Sequence, residues 1–332
     1  MNGAESLART LLACGVDTCF ANPGTSEMHF VAALDQVPGL RCVLGLAETV
    51  VTGCADGYAR MAGKPAATLL HCGPGFANGI ANIHNARRAD SPMVNIVGDH
   101  ATYHRRYDPP LASDTEGLAR AISHWVRTCE RPDQVGASAA AAIHAAASPP
   151  GHIATLILPA DCAWEEGGVV AAPANSARRS SVAQAQVDAI AQVLRGGSCL
   201  LVLAGHVLGE RGLEAAQRVA AATGAMLRTP TQVPRMARGR GRPAVDRIPY
   251  SVDAAINTLA GVRHVVLVGA APPMAFFAYP GKPSLVAPPE ARYHVLARPE
   301  DDGIEALEHL ASRVGAPGWV RGAPEAPAPS VA

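Results

Sequence analysis

Net charge is absent from this sequence: 28 Lys and Arg residues balance 28 Asp and Glu residues. The chain therefore has no electrostatic footprint for nucleic acid or for an anionic membrane surface. No apolar run reaches the roughly 18 residues that a membrane-crossing helix needs. The opening MNGAESLARTLL has no basic segment followed by a purely apolar one, so it does not read as a secretion signal. Cysteines stand at positions 14, 19, 42, 54, 72, 129, 162 and 199, none of them spaced C-x-x-C. That pattern argues against a disulfide frame or a zinc site. It reads as small buried hydrophobes in a reducing cytoplasm.

What is present is apolar content and length. The 332 residues are 48% hydrophobic and 17% charged, enough for two cores at roughly 100–200 residues per domain. Leu7, Leu11 and Leu12 have helical spacing within 4–14, with Asn2 as cap and Gly15 as stop. VDTCFA reads as a strand ending in the turn NPGTSE. A helix over 27–36, a strand over 41–46 and a helix opened by Glu48 follow. The strand AATLLH leads to the glycine loop GPGFANG, a helix to about 89 and the strand MVNIVG; IATLILP closes the unit. Short strands alternating with helices predict an α/β fold, a doubly wound parallel sheet covered on both faces. Residues 166–182 lose the periodicity and read as a linker. A second α/β unit over 183–315 follows, with strands CLLVL and HVVLV, and the Pro- and Ala-rich residues 316–332 have the composition of a tail or linker.

Two features carry candidate chemistry. Strand, GPGFANG, helix, strand and Asp99 approximate a dinucleotide-binding arrangement. The spacing is G-x-G-x-x-x-G, however, and Pro74 occupies the tight turn, so a plain structural turn is the favoured reading over a dinucleotide site. Glu48 is either a helix-start carboxylate facing the dipole, or a buried one. Leu44, Leu46, Val50 and Val51 around it predict burial, and no Lys or Arg lies nearby in sequence. A carboxylate so placed favours its protonated form and suits proton sharing. His100 and His104, four apart and beside Arg105 and Arg106, read as a solvated polar loop rather than as metal ligands.

The segments FANPGTSE, GLAETVVTGCADGYARMAGKPAATLLHCGPGFANGIANIHNARRADSPMVNIVGDHA and IATLILPADCAW resemble the thiamine diphosphate-dependent enzymes of the acetolactate synthase and benzoylformate decarboxylase group. The resemblance covers most of residues 1–165, and more weakly 183–315. It implies a pyrimidine-binding domain followed by a central domain, acting on 2-oxo acids as decarboxylase or carboligase. It also implies a role for Glu48 as the acid that hydrogen-bonds a pyrimidine ring nitrogen of the cofactor. Pro23 and Gly24 would lie near the pyrimidine, and Thr25 on the substrate side. Gly73, Gly75 and Asn78 would lie on the cofactor side, and His71 would transfer protons. Ala77 departs from the threonine usual in acetolactate synthases, and GDHA replaces a glutamine-bearing motif, so carboligation to acetolactate does not follow.

Relatives of that kind hold the diphosphate through Mg2+ in a third domain, using an acidic glycine motif followed by asparagine. The one match, ADG at 55–57 with Asn82 and Asn85, reads as helix interior. The expectation is thus a fragment, a split subunit or a non-catalytic remnant that binds thiamine diphosphate weakly by itself, with FAD undetermined. A homo-oligomer (dimer or tetramer), or a second chain supplying the diphosphate-binding domain, is the expected partner. A docking module and a dinucleotide-binding oxidoreductase are the alternatives.

Overall fold

The structure is a computed structural model that describes residues 1–174 and 178–318. Most of the expected tail, from 319 onward, and residues 175–177 of the expected linker lie outside the described residues. The chain divides into two compact units, Met1–Arg178 and Arg179 onward.

The first unit is a six-stranded, wholly parallel sheet. Its strands are β1 (Thr18–Asn22), β2 (Arg41–Leu44), β3 (Ala66–Leu70), β4 (Met93–Asp99), β5 (Trp125–Thr128) and β6 (Ile153–Pro159), in the order β2-β1-β3-β4-β6-β5. Strands β3, β4 and β6 are buried along their whole length, as continuous apolar runs in a sheet covered on both sides should be. One face carries α1 (Gly3–Ala13), α2 (Met28–Gln36) and α6 (Val135–Ala147), packed around Leu7, Leu11, Phe30 and Ile143. The other carries α3 (Glu48–Ala62), α4 (Cys72–Arg88) and α5 (Thr115–Ile122), packed around Val51, Phe76 and Ile83. The short α7 (Ala160–Trp164) follows β6.

Helix starts and stops follow their local chemistry. The Asn2 side chain accepts the Glu5 N–H at 2.9 Å and so caps α1. Gly63 ends α3 with φ +68°, a left-handed conformation that favours glycine. The expected linker region is irregular, yet its first part is held to the first unit. Asn2 bridges Glu166, and Ala171 N–H donates to Thr10 Oγ1 at 3.1 Å.

The sequence order β1, β2, then β3 reverses direction between β1 and β3. In open α/β sheets this switch point opens a crevice beyond the carboxyl ends of the strands. The segments leaving β1 and β3 are residues 23–27 and 71–75.

The second unit repeats the plan with β7 (Cys199–Leu203), β8 (Met226–Thr229), β9 (Asp246–Arg247), β10 (His264–Val268) and β11 (Arg292–Ala297), in the order β11-β10-β7-β8-β9. Helices α8 (Gln184–Arg195), α9 (Glu210–Thr223) and α11 (Gly303–Arg313) pack on one face, and α10 (Val252–Leu259) on the other. Both units are thus doubly wound parallel sheets, as expected.

Three local expectations are corrected. GPGFANG is not a loop, because α4 begins at Cys72 and these residues form its first two turns. The reversal is made by Cys72 alone, at φ +51°, and Pro74 near the helix start needs no N–H partner. Strand β2 ends at Leu44, two residues early. Cys42 and Cys54 are exposed, although all eight cysteines are free thiols.

Candidate functional site

The residues singled out by sequence gather at the switch point, on three chain segments. Glu48 is the first residue of α3. One carboxylate oxygen, Oε2, accepts the Asn78 amide N–H at 2.6 Å. The other, Oε1, lies against Gly75, where a Cβ would approach it to 2.7 Å and the His71 Cβ to 3.3 Å. Gly75 therefore serves as a bare flank that lets Glu48 and His71 line the same spot. The expected burial of Glu48 is corrected. It is half-buried, and Leu44, Leu46 and Val50 are exposed, Leu46 by 90%. Helix periodicity explains this: only Val51 turns toward the core, while Val50 and the loop residue Leu46 face out.

His71 caps the start of α4 and is partly exposed. Its Nδ1 lies 2.8 Å from Glu27 Oε2 and 3.4 Å from Ser26 Oγ. Its ring lies over Gly24, where a Cβ would meet the imidazole at 2.2 Å. Pro23 and Gly24 are half-buried beside it, and Thr25 is exposed.

Gly73 has a different neighbour. A Cβ there would strike Ser113 at 2.3 Å, so its bareness serves packing against that segment. With Gly73 against Ser113 and Gly75 against Glu48, neither glycine leaves the open approach to a helix start that a pyrophosphate needs. Asp99, the acid of the dinucleotide alternative, ends β4, accepts the His100 N–H at 2.8 Å and faces Arg105 at 3.6 Å. Burial pushes its carboxyl up from the ordinary value, against the opposing pull of His100 N–H and Arg105. Asp99, Arg105, Asp108 and Ser113 line a small cavity of about 290 Å³. His104 is exposed as expected, whereas His100 is half-buried with its Nε2 enclosed.

Sequence reasoning missed Glu27. It is 3% exposed, and its Oε2 accepts both the Gly24 N–H at 2.7 Å and the His71 contact. Its Oε1 has no hydrogen-bond partner and lies against Gly98, where a Cβ would overlap it at 1.6 Å. The signal was available: an acid three residues after a helix-capping position returns to the cap's backbone N–H. Cys72 was also passed over. Its Sγ is buried, 3.0 Å from Ser26 Oγ, and burial pushes the thiol up to about 11.

The half-buried Glu48 carboxylate, anchored through one oxygen by Asn78, is an acceptor of the kind that the ring-nitrogen end of an aminopyrimidine takes. Magnesium finds no such fit. Among the described residues, the one His, Cys, Asp and Glu group compact enough to hold a metal is Glu27, His71 and Cys72. Its nitrogen and sulfur donors do not suit an ion that prefers oxygen. The ADG segment is helix interior, with Asp56 paired to Arg60 at 2.5 Å and to Ser91 at 2.6 Å. No helix among the described residues is long and apolar enough to cross a membrane.

The chain is similar in sequence and fold to known proteins. Residues 1–120 match the family described as thiamine pyrophosphate enzyme, N-terminal TPP binding domain. The chain is 53% identical over 323 residues to IlvX of Mycobacterium tuberculosis, which is assigned as an acetolactate synthase large subunit; the match covers 96% of this chain and 61% of that protein. Benzoylformate decarboxylase of Pseudomonas aeruginosa is 32% identical over 148 residues, 44% of this chain and 28% of its own. A solved thiamin diphosphate-dependent enzyme of Mycobacterium smegmatis superposes with a TM-score of 0.82 at 23% identity, over 96% of this chain and 63% of that one. The chain thus spans about three-fifths of its fuller-length matches. Residues 1–120 thus match the N-terminal TPP binding domain of thiamine pyrophosphate enzymes, and the chain is similar to acetolactate synthases and a benzoylformate decarboxylase.

Proposed function

We propose that this chain supplies the pyrimidine half of a thiamine diphosphate site that decarboxylates or ligates 2-oxo acids. The observation that carries the reading is the Glu48 carboxylate. One oxygen is anchored by Asn78 and the other lies against Gly75, at the β1–β3 switch point. When bound, thiamine diphosphate supplies a carbon nucleophile and an electron sink for loss of carbon dioxide.

The residues of this chain hold and move protons around it. Glu48 shares a proton with a pyrimidine ring nitrogen, a task for which a half-buried, fixed carboxylate is suited. Asn78 fixes the rotamer of that carboxylate. Gly24 and Gly75 let the His71 ring and Glu48 Oε1 pack against bare backbone, with Pro23 shaping the turn and Gly73 closing α4 onto Ser113. His71, with Nδ1 committed to Glu27, presents Nε2 to the substrate side, where Thr25 also stands. Glu27 positions the imidazole through that contact.

The diphosphate and magnesium are held by groups outside the described residues, from another chain or further polypeptide. The 332-residue chain alone therefore binds thiamine diphosphate weakly, because its described donors lack the largest charge–charge attraction. Calorimetry on the isolated chain checks this directly. Micromolar binding that depends on magnesium would contradict the proposal; binding weaker than about millimolar supports it.

A further inference from the structure

We infer that Glu27, His71 and Cys72 form a binding site for a borderline-soft divalent cation, with zinc the best match. One carboxylate oxygen, one imidazole nitrogen and one sulfur lie within 4.8 Å of one another. Donors around tetrahedral zinc are about 3.3–3.6 Å apart, given bonds of about 2.0–2.3 Å. Side-chain adjustments of an ångström or so bring this set to that geometry. The mixed N, O and S chemistry selects zinc over magnesium or calcium, which take oxygen.

Two independent features favour a cation over a plain hydrogen-bond cluster. Glu27 is almost wholly enclosed, yet Oε1 has no partner and Oε2 carries both of the carboxylate's contacts. An enclosed carboxylate charge is costly, and a cation bound at it offsets that cost. The sulfur is also held in place from two sides. Cys72 takes the left-handed turn that starts α4, and Ser26 Oγ stands 3.0 Å from its Sγ.

Binding forms the sulfur–metal bond as the thiol proton leaves to solvent, and the thiolate and carboxylate balance the two charges of the ion. Three protein ligands leave the fourth position open to water or to a substrate oxygen. Such an ion replaces the Glu27–His71 Nδ1 contact that positions the imidazole, so zinc would inhibit turnover reversibly. That consequence rests on the function proposed above, whereas the binding does not.

The test uses the full chain, reduced and stripped by chelator, titrated with Co2+ and then Zn2+. Expected is one Co2+ per chain with near-ultraviolet sulfur-to-cobalt absorption, bleached by an equivalent of Zn2+. Cys72→Ser should abolish that absorption, and Cys54→Ser, which removes an exposed thiol, should leave it intact. Should Cys72→Ser fail to fold by circular dichroism, Glu27→Gln serves instead, with Co2+ affinity expected to drop at least about ten-fold. Absence of the sulfur absorption in the unmodified chain, its survival in folded Cys72→Ser, or unchanged affinity in Glu27→Gln would overturn the site. Since no measurement involves thiamine diphosphate, the outcome is separate from the fate of the proposed enzyme function.

Discussion

Glycines 75 and 98 show at the residue scale how tightly the site is built. Gly75→Ala sets two effects against each other. It removes a glycine from a helix, worth about 0.5–1 kcal/mol of stability, and it pushes a methyl group onto Glu48 Oε1. The expected result is an unchanged or raised melting temperature with reduced thiamine-dependent turnover in the complemented enzyme; equal turnover would show that Glu48 Oε1 is not the working atom. Gly98→Ala lies in the fully buried strand β4, where the added Cβ overlaps the carboxylate of Glu27. Here the neighbour is enclosed, so a loss of about 1–3 kcal/mol is expected, read from the denaturant midpoint.

His206 gives a pH prediction at the same scale. Burial, reinforced by Arg179, depresses it to about 4 from the ordinary histidine value. The folded state thus holds it neutral, while the unfolded chain takes up its proton near pH 6.5. Its contribution to stability is complete above 6.5 and is lost as pH falls through that window toward 4. Thermal melts of the second unit should decline over this range, and His206→Gln should flatten the decline. A slope unaffected by the substitution would point to other groups.

Elements were the most legible scale in the sequence, and they show where legibility stops. Alternating apolar runs and helical spacing gave the parallel strands and helices on both faces, because burial on two sides leaves an unbroken apolar strand. The Asn2 cap and the Gly15 stop were readable for the same local reason. The start of α4 was not. Glycine and proline suggested a loop, but tertiary packing against Glu48 and Ser113 requires those small residues inside a helix. Strand β5 and helix α5 carry weaker patterns and escaped notice. The Glu27–His71 contact joins residues 44 apart, and no spacing rule announces it. Phe76, a wholly buried residue of α4, anchors this element. Phe76→Ala should cost about 3–5 kcal/mol by chemical denaturation, a loss far above that of an exposed residue such as Asn78.

At the scale of the whole molecule, the two units have separate cores and only the first carries the candidate chemistry. On the proposed reading, the first unit supplies the pyrimidine side of the cofactor site. The central claim is that Glu48 performs proton transfer in that completed site, and general acid–base groups typically contribute about 10²–10⁴ in rate. The direct measurement is single-turnover decarboxylation of a 2-oxo acid with thiamine diphosphate and Mg2+. It is made after adding a diphosphate-binding domain in trans and compares the natural chain with Glu48→Gln. The account predicts turnover in the natural pair and a loss of at least about a hundred-fold in the variant. Equal rates in the two, with both complexes formed, would contradict it.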